Sequence, residues 1–532
     1  MSFTIALFWC FTFGGILIYY LIPSNIRWVW LLIISYLYYL SFGKKNIVFL
    51  IFASVVVYIG ALIVEKIQRK SDAYISNNKA ELDKEQKKKK KNITKHKKRV
   101  VLVVAMLLNF GILAVIKYGN FALLNISSIV GAFGINATWG LFGKIAMPIG
   151  LSFFTFQSVS YLIDVYQGKY KAERNLFKIC LFVSFFPQIM QGPIGRYDRL
   201  KTTLFTGNTF QLKNIQHGLQ RVLWGFFKKL ILADRAGVFV NYVFLTPDNY
   251  GGAMCILAVL MYSIQLYMDF SGGIDIVIGV AQMFGVSMDE NFRQPYFSKS
   301  IGEFWRRWHI TLGTWMKDYI FYPFCLSRSM NKLGKWGKKH LGKHLGTTIP
   351  ICLSNLLIFF VVGVWHGAEW RYIIYGMYNG IIIAFSNLME PVYKFGLKKC
   401  HINQERYWWK IFQIVRTFVL VNIGWVFDCS VDGVSSAFRM IARMFTDLQL
   451  GQLNSDMFIR IGLVNMDYII LAIGCLIVFI ISVIKEKGVQ IREKVDTKPI
   501  ALRWTIYYLL IVTIFVFGYV TDTGSGFLYA NF

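Results

Sequence analysis

Residues 349–368 read Ile-Pro-Ile-Cys-Leu-Ser-Asn-Leu-Leu-Ile-Phe-Phe-Val-Val-Gly-Val-Trp-His-Gly-Ala, a run without Asp, Glu, Lys or Arg. A helix rises about 1.5 Å per residue, so such a run spans roughly 30 Å, the hydrocarbon thickness of a bilayer. The run carries an imidazole, His366, near its end. A polar ring there is costly unless it is hydrogen-bonded, and intramembrane polar groups are pointers to function. Charge-poor runs of similar kind lie at 3–22, 47–64, 100–116, 145–163, 179–195, 249–268, 372–389, 468–484 and 504–520. Shorter or partly polar candidates lie at 28–43, 118–136, 220–245 and 411–427. The pattern predicts an all-α polytopic membrane protein with about ten to twelve crossings and further helices that enter without crossing.

Composition agrees. Of 532 residues, 55% are apolar and 16% charged, with mean hydropathy +0.48. A soluble domain carries about 25% charged residues, so soluble, disordered and coiled-coil classes are excluded. Yet the net charge is +30. Most of it sits in four stretches, 66–99, 328–344, 394–416 and 485–503, separated by apolar runs. Basic loops between spans mark the cytoplasmic side. Nucleic-acid binding is the rival reading of such a charge. The bilayer-length runs between the basic stretches speak against it, and no nucleic-acid partner is expected.

Lys/Arg bias places 66–99 in the cytoplasm, the N-terminus outside, and the tail Thr521–Phe532 outside, with an even number of crossings. The first run lacks the basic flank of a cleavable signal and reads as a retained span. The lysines at 87–91 read as a solvated, partly disordered loop. The expected divisions are N-terminal spans (1–66), a basic cytoplasmic loop (67–99), a catalytic core (100–429), peripheral helices with a loop (430–503), and a last span with an aromatic tail (504–532). Eight scattered cysteines form no CxxC pair and suggest neither a disulfide framework nor a thiolate metal site. His340 and His344 have metal-ligand spacing but lie among Lys335, Lys338, Lys339 and Lys343, which would repel a cation.

Four clusters put polar residues where they are expensive. In Phe185-Phe-Pro-Gln-Ile-Met-Gln-Gly-Pro-Ile-Gly-Arg-Tyr197, prolines break an apolar helix beside Gln188 and Gln191. This is a plain helix end or the wall of a polar cavity. In Tyr267-Met-Asp-Phe-Ser-Gly-Gly-Ile-Asp275, Asp269 and Asp275 should pair or face a cavity, and the glycines suggest a kink or close packing. In Glu303-Phe-Trp-Arg-Arg-Trp-His-Ile-Thr-Leu-Gly-Thr-Trp315, the spacing of Trp305, Trp308, Leu312 and Trp315 predicts one face of an amphipathic helix, with His309 beside it and Arg306 and Arg307 outside. In Val361-Val-Gly-Val-Trp-His-Gly-Ala-Glu-Trp370, His366 is either a buried structural ring or a proton carrier.

Together these clusters resemble the membrane-bound O-acyltransferase (MBOAT) family, in its bacterial alginate O-acetyltransferase-type branch. They are also similar to teichoic acid D-alanyltransferase. The carrying residues run in order: Met147-Pro-Ile-Gly-Leu-Ser-Phe-Phe-Thr-Phe156, Phe186-Pro-Gln188, Gly192-Pro193, Asp269-Phe-Ser-Gly272, Asn291-Phe-Arg-Gln-Pro-Tyr296, Phe304-Trp-Arg-Arg-Trp-His309 and Trp365-His-Gly367. The resemblance implies a ring of helices around a central tunnel in the bacterial cytoplasmic membrane. It implies transfer of an acyl group, foremost acetyl, from a cytoplasmic thioester to an exported cell-envelope polysaccharide. His366 matches the signature base. His309 would position substrate or stabilise an oxyanion. Gln188, Gln191, Asp269, Ser271, Asn291, Trp305, Arg306 and Trp365 would line the tunnel or position substrate.

No metal and no permanently bound cofactor is implied. The donor would be acetyl-CoA, or alternatively a carrier-protein thioester. An extracytoplasmic SGNH-type acyltransferase would be the partner. The tail Gly526-Phe-Leu-Tyr-Ala-Asn-Phe532 resembles aromatic tails of related systems, which makes Tyr529 an acyl-relay or anchor candidate. D-alanyl transfer to teichoic acid is the alternative. A transporter or flippase is remote, because no internal repeat supports it. A structural scaffold for an envelope complex is equally remote. The 328–344 stretch is the part of the charge expected to meet an anionic donor.

Overall fold

The computed structural model describes residues 6–134, 148–519 and 526–527. These residues form helices and connecting turns, with no strand among them. Seven helices are long and apolar enough to cross a bilayer, or up to eight when the pair Trp370–Leu388 and Glu390–Lys399, bent by 58°, is taken as one span. Large apolar side chains such as Leu107, Ile473, Leu476, Phe479, Leu509 and Phe515 are exposed, a surface that lipid rather than water covers. Among the described residues, three of the apolar runs form shorter elements than a straight crossing needs. Run 3–22 gives Ala6–Leu21, run 145–163 gives Leu151–Gln167, and run 179–195 gives Leu176–Ser184, after which the backbone is irregular.

The chain divides into two compact units. The first comprises residues 1–219 and 277–289, the second most of the remainder. In the first, helices Ile47–Asn77 and Lys84–Ala132 pack on each other and on Leu151–Gln167. The expected loop at 67–99 is therefore a helical hairpin. Its lysines at 87–91 lie within the second helix. Asp83 explains the restart: its side chain accepts from Gln86 N while Gln86 Oε1 accepts from Asp83 N, a reciprocal cap. Below the turn, Thr94 donates to Ser71 at 2.8 Å, and Lys98 donates to Gln68 and to the Tyr166 carbonyl.

The broken segment after Ser184 is buried throughout. Ser35 Oγ accepts from Phe186 N at 3.1 Å. Gln157 donates to the Phe182 carbonyl, and Gln188 donates to Gln157 Oε1 and to the Pro193 carbonyl. Side-chain amides thus take the place of helix hydrogen bonds, which allows irregular backbone away from water.

In the second unit, helix Gly342–His366 packs on Trp370–Leu388, which packs on Tyr407–Cys429. The first pair is in backbone contact. A Cβ on Gly376 would lie 2.2 Å from the Phe359 carbonyl oxygen, and one on Gly363 would lie 2.5 Å from that of Tyr372. Glycine is needed there for the approach, and the approach fixes the end of the helix that carries His366.

Candidate active site

His366 is the last residue of its helix and is buried. Trp365 lies 5.0 Å from it, ring to ring, and His309 lies 5.8 Å from Trp365. Tyr372 stacks at 6.2 Å and Tyr375 meets the His366 ring edge-on at 5.5 Å. The two histidines of the sequence pattern are therefore neighbours in one aromatic enclosure.

The segment around His309 departs from expectation. It is not one amphipathic helix but two short ones, Ile301–Arg307 and Ile310–Met316. His309 joins them in the left-handed region at φ +45°. Asn291 is the cause. Its carbonyl accepts from Ile310 N, and its Oδ1 accepts from Thr311 N at 3.0 Å and from Thr311 Oγ1 at 2.9 Å. Arg293 N also donates to the Arg307 carbonyl. The 291–293 strip intercepts the hydrogen bonds that would have continued the helix. Left-handed backbone at a non-glycine residue costs about 1–3 kcal/mol and persists only where neighbours impose it. Trp308, Leu312 and Trp315 are buried in protein rather than laid at an interface.

Asn291 also settles the tautomer of His309. Oδ1 must be the atom facing the Thr311 donors, and it lies 3.2 Å from His309 Nδ1. Only an N–H can approach an acceptor in this way, so Nδ1 carries the proton and Nε2 is the basic nitrogen. Burial, with the nearby His366 charge adding to it, pushes the His309 imidazole down to about 3. A neutral ring with this tautomer accepts a hydrogen bond at Nε2. It suits holding a hydroxyl and does not suit donating to an oxyanion.

The other expected site residues take different places. Trp305 Nε1 donates to Asn379 Oδ1 at 3.1 Å. Arg306 is exposed, whereas Arg307, expected outside, is buried and paired with Glu303 and Glu486. Asp269 pairs with Lys229 at 2.6 Å, and Asp275 with Arg221 and Lys228. Ser271 accepts from Lys228 at 2.9 Å. The helix Gly252–Met283 is continuous, so the glycines serve close packing rather than a kink: a Cβ on Gly272 would meet the Gly225 carbonyl at 2.8 Å. Gln188 and Gln191 belong to the first unit. Gln188 has the partners given above, and Gln191 is fully buried with no partner for its amide among the described residues. Tyr529 lies outside the described residues. Two residues before it, Phe527 is buried under Lys229, which also donates to the Gly526 carbonyl at 3.1 Å.

Three groups escaped the sequence reading. Asp428 sits one residue beyond the apolar run at 411–427, and its Oδ1 lies 3.9 Å from His366 Nδ1. Tyr262 donates to the other oxygen, Oδ2, at 2.7 Å. Lys228 and Lys229 are buried in a π-helical segment, Phe227–Ala233. Each was visible as a polar residue in or beside an apolar run.

A polytopic helical protein with two buried histidines flanking a tryptophan matches a known family. Residues 172–419 fit the model of MBOAT, the membrane-bound O-acyltransferase family, and the chain belongs to it as an O-acyltransferase. It is 34% identical over 379 residues to the "probable alginate O-acetylase AlgI" of Azotobacter vinelandii, covering 70% of this chain and 69% of that one. It is 27% identical to a peptidoglycan O-acetyltransferase of Helicobacter pylori, over 82% of this chain and 83% of that one. It is 31% identical to the teichoic acid D-alanyltransferase of Bacillus subtilis, over 52% and 67%. The chain spans about two thirds of the length of the alginate O-acetylases it matches.

Proposed function

We propose that this protein moves an acetyl group from a cytoplasmic thioester, acetyl-CoA or a carrier-protein thioester, toward hydroxyls of an exported envelope polysaccharide. It would act in the bacterial cytoplasmic membrane, with His366 as general base. The observation that carries this reading is the pair of buried imidazoles flanking Trp365 at 5.8 and 5.0 Å. His309 Nε2 accepts from a substrate hydroxyl other than the attacking one and so positions the substrate. His366 takes the proton of the attacking hydroxyl as its oxygen attacks the thioester carbonyl. The C–O bond forms, the C–S bond breaks, and the leaving thiolate takes the proton back from the imidazolium. General-base assistance contributes about 10²–10⁴-fold. The aromatic enclosure keeps water from the thioester and strengthens local electrostatics.

An extracytoplasmic SGNH-type acyltransferase is the partner this reading requires for delivery to polymer. Tyr529 is the candidate relay. Lys229, holding the tail two residues earlier, favours an anchored tail. Replacing Tyr529 by Phe should stop transfer if the relay operates, and unchanged transfer would leave the tail as an anchor only.

The test is the ester released by mild base from envelope polymers of cells carrying the wild-type chain or His366→Ala. Acetate from the wild type, lost in the variant, is expected. D-alanine in its place would select the second reading, which the 31% identity to the D-alanyltransferase favours. Acetate at wild-type level from the variant would exclude His366 as the base.

A further inference from the structure

We infer that Asp428 is a positioning residue for His366, orienting its ring and stabilising the imidazolium formed when the hydroxyl proton is taken. The inference rests on the reading of His366 as base. It starts from burial. Asp428 lies in the last turn of the helix Tyr407–Cys429 with 5% exposure, where a carboxylate without partners would be costly. Only one of its oxygens is hydrogen-bonded, Oδ2, by the Tyr262 hydroxyl. Oδ1 accepts no hydrogen bond and faces His366 Nδ1 at 3.9 Å. That gap is longer than a hydrogen bond, but catalytic contacts in substrate-free enzymes are often long and tighten when substrate binds.

Arg371 acts on Asp428 through its charge but makes its ion pair with another carboxylate. Arg371 touches the Asp428 backbone carbonyl at 3.4 Å and spends its side chain on Glu369 at 2.8 Å. The other titratable neighbours are Tyr372, Tyr375 and His309 around His366, with Cys429 beside Asp428. None is a fixed cation. A carboxylate facing Nδ1 favours the tautomer with the proton on Nδ1, which leaves Nε2 as the base. His309 reaches the same tautomer through the neutral Asn291. The two rings thus present the same nitrogen, but only His366 has a carboxylate behind it. That difference assigns the base to His366 and the positioning to His309. Asp428 lies beyond the family-matched segment 172–419.

The experiment uses the full-length protein in native-lipid membranes with acetyl-CoA as probe, following thiol release against pH. Asp428→Asn is expected to lower kcat by about 10–100-fold with donor KM unchanged, as for outer partners of a reacting group. The acid limb of the profile, which reports His366 losing its proton, is expected to move down by about one pH unit or more, because an opposite charge at this distance raises an imidazole pKa by that amount. Asp428→Glu restores part of kcat and of the limb. A merely structural Asp428 would leave the limb in place. Tyr262→Phe, which frees the second oxygen to turn toward the ring, moves the limb up and keeps the inference testable if Asp428→Asn fails to accumulate. His366→Ala is run in parallel. Activity surviving in it overturns the base assignment. Loss of activity there, with an unmoved limb in Asp428→Asn or Tyr262→Phe, overturns the role of Asp428 alone.

Discussion

Two polar clusters lie in the second unit, and they differ in what faces their carboxylates. The first joins Arg221, Lys228, Lys229, Asp234, Asp269, Asp275 and Glu290 in ion pairs of 2.5–2.8 Å. Opposite charges face each other throughout, and Ser271 takes a further bond from Lys228. The second holds His309, His366 and Asp428 among tryptophans and tyrosines, with a carboxylate oxygen left without a hydrogen bond. Carboxylates locked to lysine and arginine fix a structure, whereas a carboxylate facing an imidazole can help it hold a proton. From the sequence both looked alike, as polar residues in apolar runs. Partner charge separates them.

The largest expected effect is at His366. Alanine there should lower transfer by about 10²–10⁴-fold while the protein still accumulates and melts near the wild-type temperature. A collapse of the fold would erase the distinction between the clusters. Lys229→Met should do the reverse. It strands Asp269 and Asp234 and should cost about 3–5 kcal/mol of stability, read as lost accumulation and a lowered melting temperature. Adding Asp269→Asn should return part of that loss. If Lys229→Met melts normally but is inactive, the ion-paired cluster belongs to the site. His309→Ala comes next, with kcat lower by about 10²-fold because the substrate is no longer held in place. His309 remains neutral above pH 4, since burial lowers its pKa to about 3, so it should contribute no limb to the wild-type profile between pH 5 and 9. A limb that vanishes in His309→Gln would contradict that.

How much of this could be read from residues alone follows from what each signal measures. Hydropathy reports burial in lipid, so the all-α membrane fold and the helix ending at His366 were legible. Spacing at 305, 308, 312 and 315 assumes an unbroken helix. It could not show that Asn291, 18 residues before His309, takes over the hydrogen bonds at that point. The run of lysines at 87–91 looked like a loop because composition misses a capping box built by Asp83 and Gln86. The pairing of Asp269 was foreseeable in kind, since an isolated carboxylate is untenable there, but its partner was not. The partner lies 40 residues away on a π-helical turn. Asp428 was missed because it stands just past the end of an apolar run, where a charge looks like an ordinary boundary.

The basic stretches give the smallest expected effect and the sharpest use of distance. Helix Arg328–His340 folds back on the start of Gly342–His366, with Lys335, Lys338, Lys339 and Lys343 exposed. His366 ends that same helix, so Lys343 and His366 stand about 35 Å apart along its axis. On the proposed reading, lysines at one end of a bilayer-spanning helix do not contact a thioester held at the other. What remains to them is topology and long-range steering of an anionic donor, which salt screens within about 10 Å at 0.1 M. Changing all four to Gln should therefore raise donor KM by only a few-fold at low salt and less at high salt, with kcat unchanged. Replacing 75–90 of the hairpin by a short linker, which spares the Ser71–Thr94 bond, should leave KM within twofold. A large rise in KM that persists at high salt would put the donor phosphates on this helix. The acyl group would then have to travel the length of the span before it met His366.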